Sequence, residues 1–559
     1  MRRWMTVVGC WLMGIVASAD TQQSSSDNPF RPPVDYAISL AGNFGEPRPH
    51  HFHGGLDVRT DGVEGKHIYA IADGYVSRIT MGLYGFGNAV YITHPTGHTS
   101  IYAHLKSFSP RIKAALRKYQ YQHKTSVADA HLGPLDVPVA QGQFIALSGN
   151  TGHSTAPHLH LEIHDTRTWN MLDPYPFLND FIEDTVPPQV HGFMAIPHQG
   201  GSFNGSTLKQ TFAQNGVLTA WGRVGFALWA DDYMQGSSNH FGIHETLLYV
   251  DGQVVFHGIV DNIPTALNRM VNSWGDYDHW LRYKTWYMKS YIEPGNTLSC
   301  LQADENRGIV MFNEERPYQL EYVLRDFKGN ESRYPFTIQG KQTAMQASRP
   351  APTLRWNRTN LYSRPGMQLV VPYGFVATDV ILHPVINHHP EAWSDAYQFS
   401  QTSLPLLYDA ELSIYVRRNS TNNVVDSFDP SKLYITDGKG RYFGGNFENG
   451  WVTGRIHELS SNYEIAYDDQ PPNITLISTA KNSNSLVLKV VDGQSGIASW
   501  TATIDDSFVV FDAIEKTSTY ICDLRETRLR RTNKSHFLRF KATDNCQNTC
   551  IFEHSFTYQ

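Results

Sequence analysis

From Tyr36 to about Ile182 the chain is a succession of short apolar segments cut by glycine-bearing turns, and this punctuation limits what it can fold into. Ile68–Ile71, Tyr75–Ile79, Ala89–Thr93, Thr99–His104 and His158–Ile163 are too short for helices and rich in β-branched and aromatic residues. Between them lie the turn signals Asp73-Gly74, Gly85-Phe86-Gly87, Pro95-Thr96-Gly97 and Ser148-Gly149-Asn150-Thr151-Gly152. The pattern predicts antiparallel β-sheet. A single helix is expected from Pro110 to about Gln120, with Ser109 as N-cap and Pro110 at the first helical position.

The full chain of 559 residues exceeds what one hydrophobic core supports. Its 41% apolar and 18% charged residues are a globular composition. The expected organisation is a signal segment at 1–19, a linker at 20–35, a first β domain at 36–182, a β-sandwich-like domain at 187–340, a β-rich domain at 345–466 and a C-terminal Ig-like β-sandwich at 470–559. A weak internal repeat supports the later modules. Asp184-Thr185-Val186-Pro187-Pro188 and Asp468-Asp469-Gln470-Pro471-Pro472 each precede β-like sequence. Asp326 with Asn330, and Asp544 with Asn548, share a four-residue spacing after a strand. The overall fold class is mainly β.

Arg2 and Arg3, the apolar run Trp4–Val16 and Ala17-Ser18-Ala19 have the layout of a cleavable export signal. The expected location is therefore the periplasm or cell envelope, with no transmembrane helix in the mature chain. Val7-Val8-Gly9-Cys10 resembles a lipoprotein box, but little apolar sequence precedes Cys10, so ordinary cleavage is favoured over a lipid anchor. The net charge of −7 and the lack of a basic block argue against a nucleic-acid partner. Cys300, Cys522, Cys546 and Cys550 would remain after cleavage. In an exported chain they suggest a structural disulfide between Cys546 and Cys550 or from one of them to Cys522, with Cys300 buried.

Three histidine motifs carry the chemistry. In His158-Leu159-His160, strand alternation aims both imidazoles to one side. In His53-Gly54-Gly55-Leu56-Asp57, the glycines permit a bend that brings an imidazole and a carboxylate to one point. With His160 this makes three protein ligands and one open position, the pattern of a catalytic zinc site. Taken singly, surface histidines or a glycine turn would give the same spacings. The third motif is Tyr102-Ala103-His104. Arg48 is expected to be solvated, with binding of a substrate carboxylate as the alternative. His50, His51, His153 and His164 are expected to line a groove or the surface, and Glu162 follows the face of His158 and His160.

Together these motifs resemble the LytM/lysostaphin-type zinc metalloendopeptidases, in the family order H-x-G-x-D, Tyr-x-His and H-x-H. Phe44-Gly45-Glu46, Asp73-Gly74-Tyr75-Val76, Gly87-Asn88, Val139–Gln143 and Ser148–Gly152 also match. The resemblance spans about residues 36–182. It implies one Zn2+ per chain held by His53, Asp57 and His160, with His104 and His158 as catalytic residues flanking a zinc-bound water. It also implies hydrolysis of peptide bonds in peptidoglycan stems or cross-links. Two other functions fit the family: a metal-free LytM-like activator of wall hydrolases, or a zinc protease acting on exported proteins. The β modules would bind wall polymer or a protein partner, position the first domain, or cover its groove. Leu161 stands where the family often has Phe, and the insert at about 110–134 alters a groove wall.

Overall fold

The computed structural model describes residues 29–82, 85–343, 353–402, 404–417, 428–479 and 484–559. The signal-like segment, Cys10 and most of the expected linker lie outside these residues. The molecule is mainly β and antiparallel. The four largest hydrophobic clusters centre on the four modules in sequence order, with Phe44, Phe52 and Met171 of the first domain packed into the second cluster and Phe241 of the second module into the first.

The first domain contains strands β1 (Leu40–Gly42), β2 (Gly55–Arg59), β3 (Gly74–Met81), β4 (Asn88–Thr93), β5 (His98–Ala103), β6 (Ala128–His131) and β7 (His158–Asp165). They lie in the order β1-β2-β7-β5-β4-β3-β6. One face packs Leu56, Val58, Val76, Ile79, Leu159, Leu161 and Ile163 into the core. Helix α1 (Pro110–His123) runs a turn beyond the expected end, because Lys124 takes a left-handed cap without the usual glycine. It buries Ile112, Leu116 and Gln120, and Ser109 makes no side-chain cap. Residues 29–35 are not a free linker. Phe30 and Val34 are buried in the first-domain core, and the Arg31 amide donates to the Ile71 carbonyl at 2.9 Å.

The second module is built around long strands at Gln189–Pro197, Thr219–Asp231, Pro317–Arg325 and Glu331–Gly340. The third centres on a five-stranded sheet that includes Pro405–Tyr415 and Trp451–Glu458. In the last, two four-stranded sheets contribute Leu486, Leu488 and Val490, and Leu538, Phe540 and Ala542, to one core. This is the strict alternation of a β-sandwich.

The expected disulfide does not form. Cys300, Cys522, Cys546 and Cys550 are all free thiols. Cys522 sits in the core opposite Leu486. Cys546 is buried in a turn, while Cys550 lies on the next strand, opposite Ala542. An even cysteine count permits a bridge, but these positions do not direct the thiols to one another. Among the described residues, no helix is long and apolar enough to cross a membrane.

Candidate metal and catalytic site

Strands β2 and β7 are neighbours, and their register places His160 directly opposite Asp57. Cross-strand partners on one face lie within about 5.5 Å, so an imidazole and a carboxylate meet there without help from a loop. His53 arrives through the Gly54-Gly55 bend. A Cβ on Gly54 would lie 2.4 Å from Glu162 Oε1, and one on Gly55 would lie 2.1 Å from the Leu161 carbonyl oxygen. Only glycine permits this approach.

His53 Nε2 lies 3.0 Å from Asp57 Oδ1 and 2.9 Å from His160 Nδ1. His160 Nδ1 lies 2.9 Å from the same carboxylate oxygen. All three side chains are buried, and their ligand atoms lie within 4.8 Å of one another. Their outer contacts set the tautomers. His53 Nδ1 is 2.5 Å from the Asn43 carbonyl, which can only accept, so that nitrogen carries the proton. His160 Nε2 is 2.9 Å from Glu162 Oε1 and carries its proton for the same reason. Two neutral imidazoles and a carboxylate thus turn lone pairs towards one point. Such a convergence requires a positive charge.

Without metal, a proton supplies that charge. Burial lowers the pKa of His160, but hydrogen bonds and charge from Asp57 and Glu162 outweigh it and hold the ring at about 9. Burial keeps His53 at about 4, against the pull of Asp57. Asp57 stays well below the ordinary carboxylate range despite its burial, through the charge of His53 and its three imidazole contacts. The donor set of two imidazole nitrogens and one carboxylate oxygen fits a borderline-soft cation such as zinc and leaves further coordination positions.

His104 follows β5 with φ 58, a left-handed conformation that turns its ring into the site. Its Nδ1 donates to the Thr151 carbonyl at 2.8 Å. His158 Nδ1 donates to the Ala156 carbonyl at 2.8 Å, and its Nε2 lies 3.3 Å from Asp57 Oδ1. The two rings are 4.8 Å apart, and His104 is 5.7 Å from His160. Burial, with His160 and His158 as neighbours, lowers His104 to about 3, so it is neutral near neutral pH. The structure therefore brings all five predicted residues together. Tyr102 serves differently: its fully buried hydroxyl accepts the Ile71 amide at 2.9 Å and takes no part in the cluster.

Four supporting residues were not assigned from the sequence. Arg48 is partly solvated, its side chain 33% exposed, and its Nη2 donates to Asp57 Oδ2 at 2.8 Å and fixes that carboxylate. Glu162 and His164 continue the face of His158 and His160, and strand parity would have found both. His164 is buried, not at the surface, and its Nε2 lies 2.6 Å from Glu162 Oε2. Asn43 acts through a backbone carbonyl, which leaves no mark on the sequence. His51 and His153 are exposed, while His50 packs against Tyr277 and His457 of later modules.

Comparison with known proteins agrees with this geometry. Residues 51–174 match the model of peptidase family M23. The first domain is an M23 peptidase domain. Residues 351–468, within the third module, match a Zu5-like domain. An uncharacterized metalloprotease of Haemophilus influenzae is 30% identical over 143 residues, which is 26% of this chain and 23% of the relative. The DD-carboxypeptidase/endopeptidase Mpg of Neisseria meningitidis serogroup B is 34% identical over 111 residues, 20% of this chain and 19% of that protein. The chain thus spans only about a fifth of the length of these curated relatives. Among solved structures, the catalytic domain of lysostaphin from Staphylococcus simulans is 26% identical and covers 25% of this chain and 92% of that one, with a TM-score of 0.20. A zinc-containing peptidase from Vibrio cholerae is 28% identical and covers 25% and 37%, with a TM-score of 0.19.

Proposed function

We propose that this chain is an exported zinc metalloendopeptidase that cleaves peptide bonds in bacterial peptidoglycan. The observation that carries the reading is the convergence of three lone pairs from His53, Asp57 and His160, with two further histidines beside them. Zinc bound there supplies Lewis acidity and lowers the pKa of a coordinated water to about 7. Arg48 and Glu162 hold Asp57 and His160 in place. The Nε2 atoms of His104 and His158 accept hydrogen bonds from the attacking water and the proton it gives up. His158 is the more open of the two; its side chain is 16% exposed, so we assign proton acceptance to it and orientation of the water to His104.

The wall substrate rests on chemistry. A relative 34% identical over 111 residues is named a DD-carboxypeptidase/endopeptidase. Bonds between D-residues belong to peptidoglycan, not to ribosomally made proteins. Export rests on the basic, apolar and small-residue order of residues 1–19.

The test combines metal analysis with product analysis. Purified chain should hold one zinc and release new amine and carboxyl ends from purified peptidoglycan, read by mass spectrometry. His160→Ala should lose both. Equal digestion by this variant refutes the zinc mechanism. Zinc-loaded protein that yields no new ends refutes the wall-peptidase reading; cleavage of exported proteins instead would point to a protease, and enhanced digestion by an added wall hydrolase to an activator.

A further inference from the structure

The weak sequence repeat folds into two matching acidic clusters. Asp184, Asp232 and Asp326 offer carboxylate oxygens within 4.8 Å of one another, as do Asp468, Asp492 and Asp544. The members occupy equivalent places in the second and last modules. Asp184 and Asp468 precede the first strands, at Gln189–Pro197 and Asn473–Ser478. Asp232 and Asp492 immediately follow the strands Thr219–Asp231 and Ser485–Val491. Asp326 follows Pro317–Arg325, and Asp544 ends Thr532–Asp544. Asn330 and Asn548 make the same links, from side chain to the Asp184 and Asp468 carbonyls and to Asp326 and Asp544.

The clusters differ in one respect that bears on ligand binding. In the last module, Asp468 accepts the amides of Gln470 and Ser495, Asp492 accepts those of Gln494 and Gly496, and Asn548 donates to both oxygens of Asp544. That cluster is satisfied from within. In the second module, Asp232 is only 5% exposed, yet its Oδ1 has no hydrogen-bond partner among the described residues. Tyr175 of the M23 domain, 6% exposed, brings a hydroxyl that also lacks a partner. Both line one cavity of about 20 Å³, together with Asp184, Asn43, Asp173 and His244, and Asp326 adjoins it, its carboxylate oxygen within 4.8 Å of those of Asp184 and Asp232. This is room for one water-sized particle or a bare ion. The nearby cation does not fill the role: Lys328 Nζ donates to the carbonyl and side-chain oxygens of Asn179 at 2.8 and 2.7 Å.

We propose that Asp184, Asp232 and Asp326, with the Tyr175 hydroxyl closing the cavity, bind a calcium ion at the junction of the M23 domain and the second module. The three carboxylates provide hard oxygen donors, the kind calcium takes, and binding through one or both oxygens of each, with the Tyr175 hydroxyl, supplies its six to eight positions without several added waters. Burial, together with mutual repulsion, pushes Asp232 up to about 8 and Asp184 to about 6, which is the cost of gathering these carboxylates without a counter-ion. The ion would join segments from both domains. Asn43 lines the same cavity while its carbonyl fixes the tautomer of His53. Calcium would therefore stiffen the support of the zinc cluster without entering it.

The experiment uses the full chain, stripped of metal on a chelating resin and restored with one equivalent of zinc. Calcium is then titrated calorimetrically, and melting is followed with and without it. Wild type should bind one calcium in the range of about 10⁻⁵ to 10⁻³ M and melt higher as calcium rises. Asp232→Asn should weaken this binding by about 100-fold or more through loss of a charged ligand. Without calcium the variant should melt no lower than wild type, since it removes one of three repelling charges; this shows that it folds. Asp492→Asn should keep the site. The proposal is overturned if folded wild type binds no calcium at about ten times the weak end of that range. It is equally overturned if Asp232→Asn binds normally, if Asp492→Asn loses the site instead, or if zinc or magnesium occupies it in preference to calcium.

Discussion

Glu162 touches no substrate and is no ligand, yet it should govern how tightly the cluster holds zinc. Its carboxylate is buried and accepts from His160 Nε2 at 2.9 Å and from His164 Nε2 at 2.6 Å. Loss of such an outer partner typically costs 10–100-fold in metal affinity, or about 1.4–2.7 kcal/mol. Two substitutions divide this between charge and tautomer. In Glu162→Gln the amide oxygen still accepts from His160. The amide NH2 faces His164, which adapts by moving its proton to Nδ1, 3.3 Å from the Trp169 carbonyl. Only the charge is lost, so affinity should fall about tenfold. In Glu162→Leu no acceptor remains. His160 is then released to carry its proton on Nδ1, where the metal must bind, and a buried N–H is left unpaired at about 1–3 kcal/mol. Affinity should fall by about 100-fold or more. Competition with a chromophoric zinc chelator measures both. A second reading is independent. Since His160 sits at about 9 without metal, zinc binding at about pH 8 should release close to one proton, and Glu162→Gln should release fewer. Zinc affinities within about twofold of wild type for both variants would refute the positioning role.

Further outcomes follow from the supporting contacts. Tyr102→Phe orphans the Ile71 amide and should cost about 1–3 kcal/mol in denaturant unfolding, with zinc affinity unchanged. Arg117 spans from α1 to the last module, meeting Asp512 at 2.9 and 2.5 Å and Glu526 at 2.6 Å; its side chain is 13% exposed. Arg117→Ala leaves Asp512 without its partner and Glu526 held by Lys113 alone. It should cost about 2–3 kcal/mol, less than a fully buried pair because the acids reach water, and speed hydrogen exchange in α1 and at 508–526; unchanged exchange would contradict this docking. His50 is lowered to about 4 by burial and by His457. A lowered histidine contributes stability that is present above its unfolded value of 6.5 and is lost as pH falls towards 4. The wild-type melting temperature should therefore drop more steeply across that window than that of His50→Asn, a residue that tolerates the φ of 68.

The five residues of the cluster were legible through the order of the three motifs shared with the family, because two local constraints alone left each motif ambiguous. Metal chemistry restricts the residue types, and strand parity puts His158 and His160 on one face. The same parity extends to Glu162, which was placed on that face but given no role, and to His164, which the habit of placing polar residues outside put in a groove or at the surface. The pairing of the partly solvated Arg48 with Asp57 was not legible because a salt bridge from β-edge to ligand has no spacing rule. The cysteine expectation failed because an even count says nothing about direction. Helix α1 ran long because a lysine took the left-handed cap that sequence reading reserves for glycine or asparagine.

What lay furthest from the sequence is how the modules reach the site. The Asn43 carbonyl orients His53, and the Asn43 side chain exchanges two 2.8 Å hydrogen bonds with Gly242 of the second module. The Thr151 and Ala156 carbonyls orient His104 and His158, and both belong to a loop held from outside. Lys516 of the last module donates to the Asn150 and Ser154 carbonyls of that loop, each at 2.6 Å. Each of these three histidines thus has its ring set by a backbone acceptor whose own segment is fastened to another module. A backbone carbonyl is chemically the same at every position, so only the fold determines which one is used. The pairs are also separated by hundreds of residues, beyond the reach of any local pattern. Residue types specify what the cluster can bind, while the modules specify how rigidly it is presented. Those rigid carbonyl contacts hold each imidazole in one tautomer, which is what a preorganised site requires.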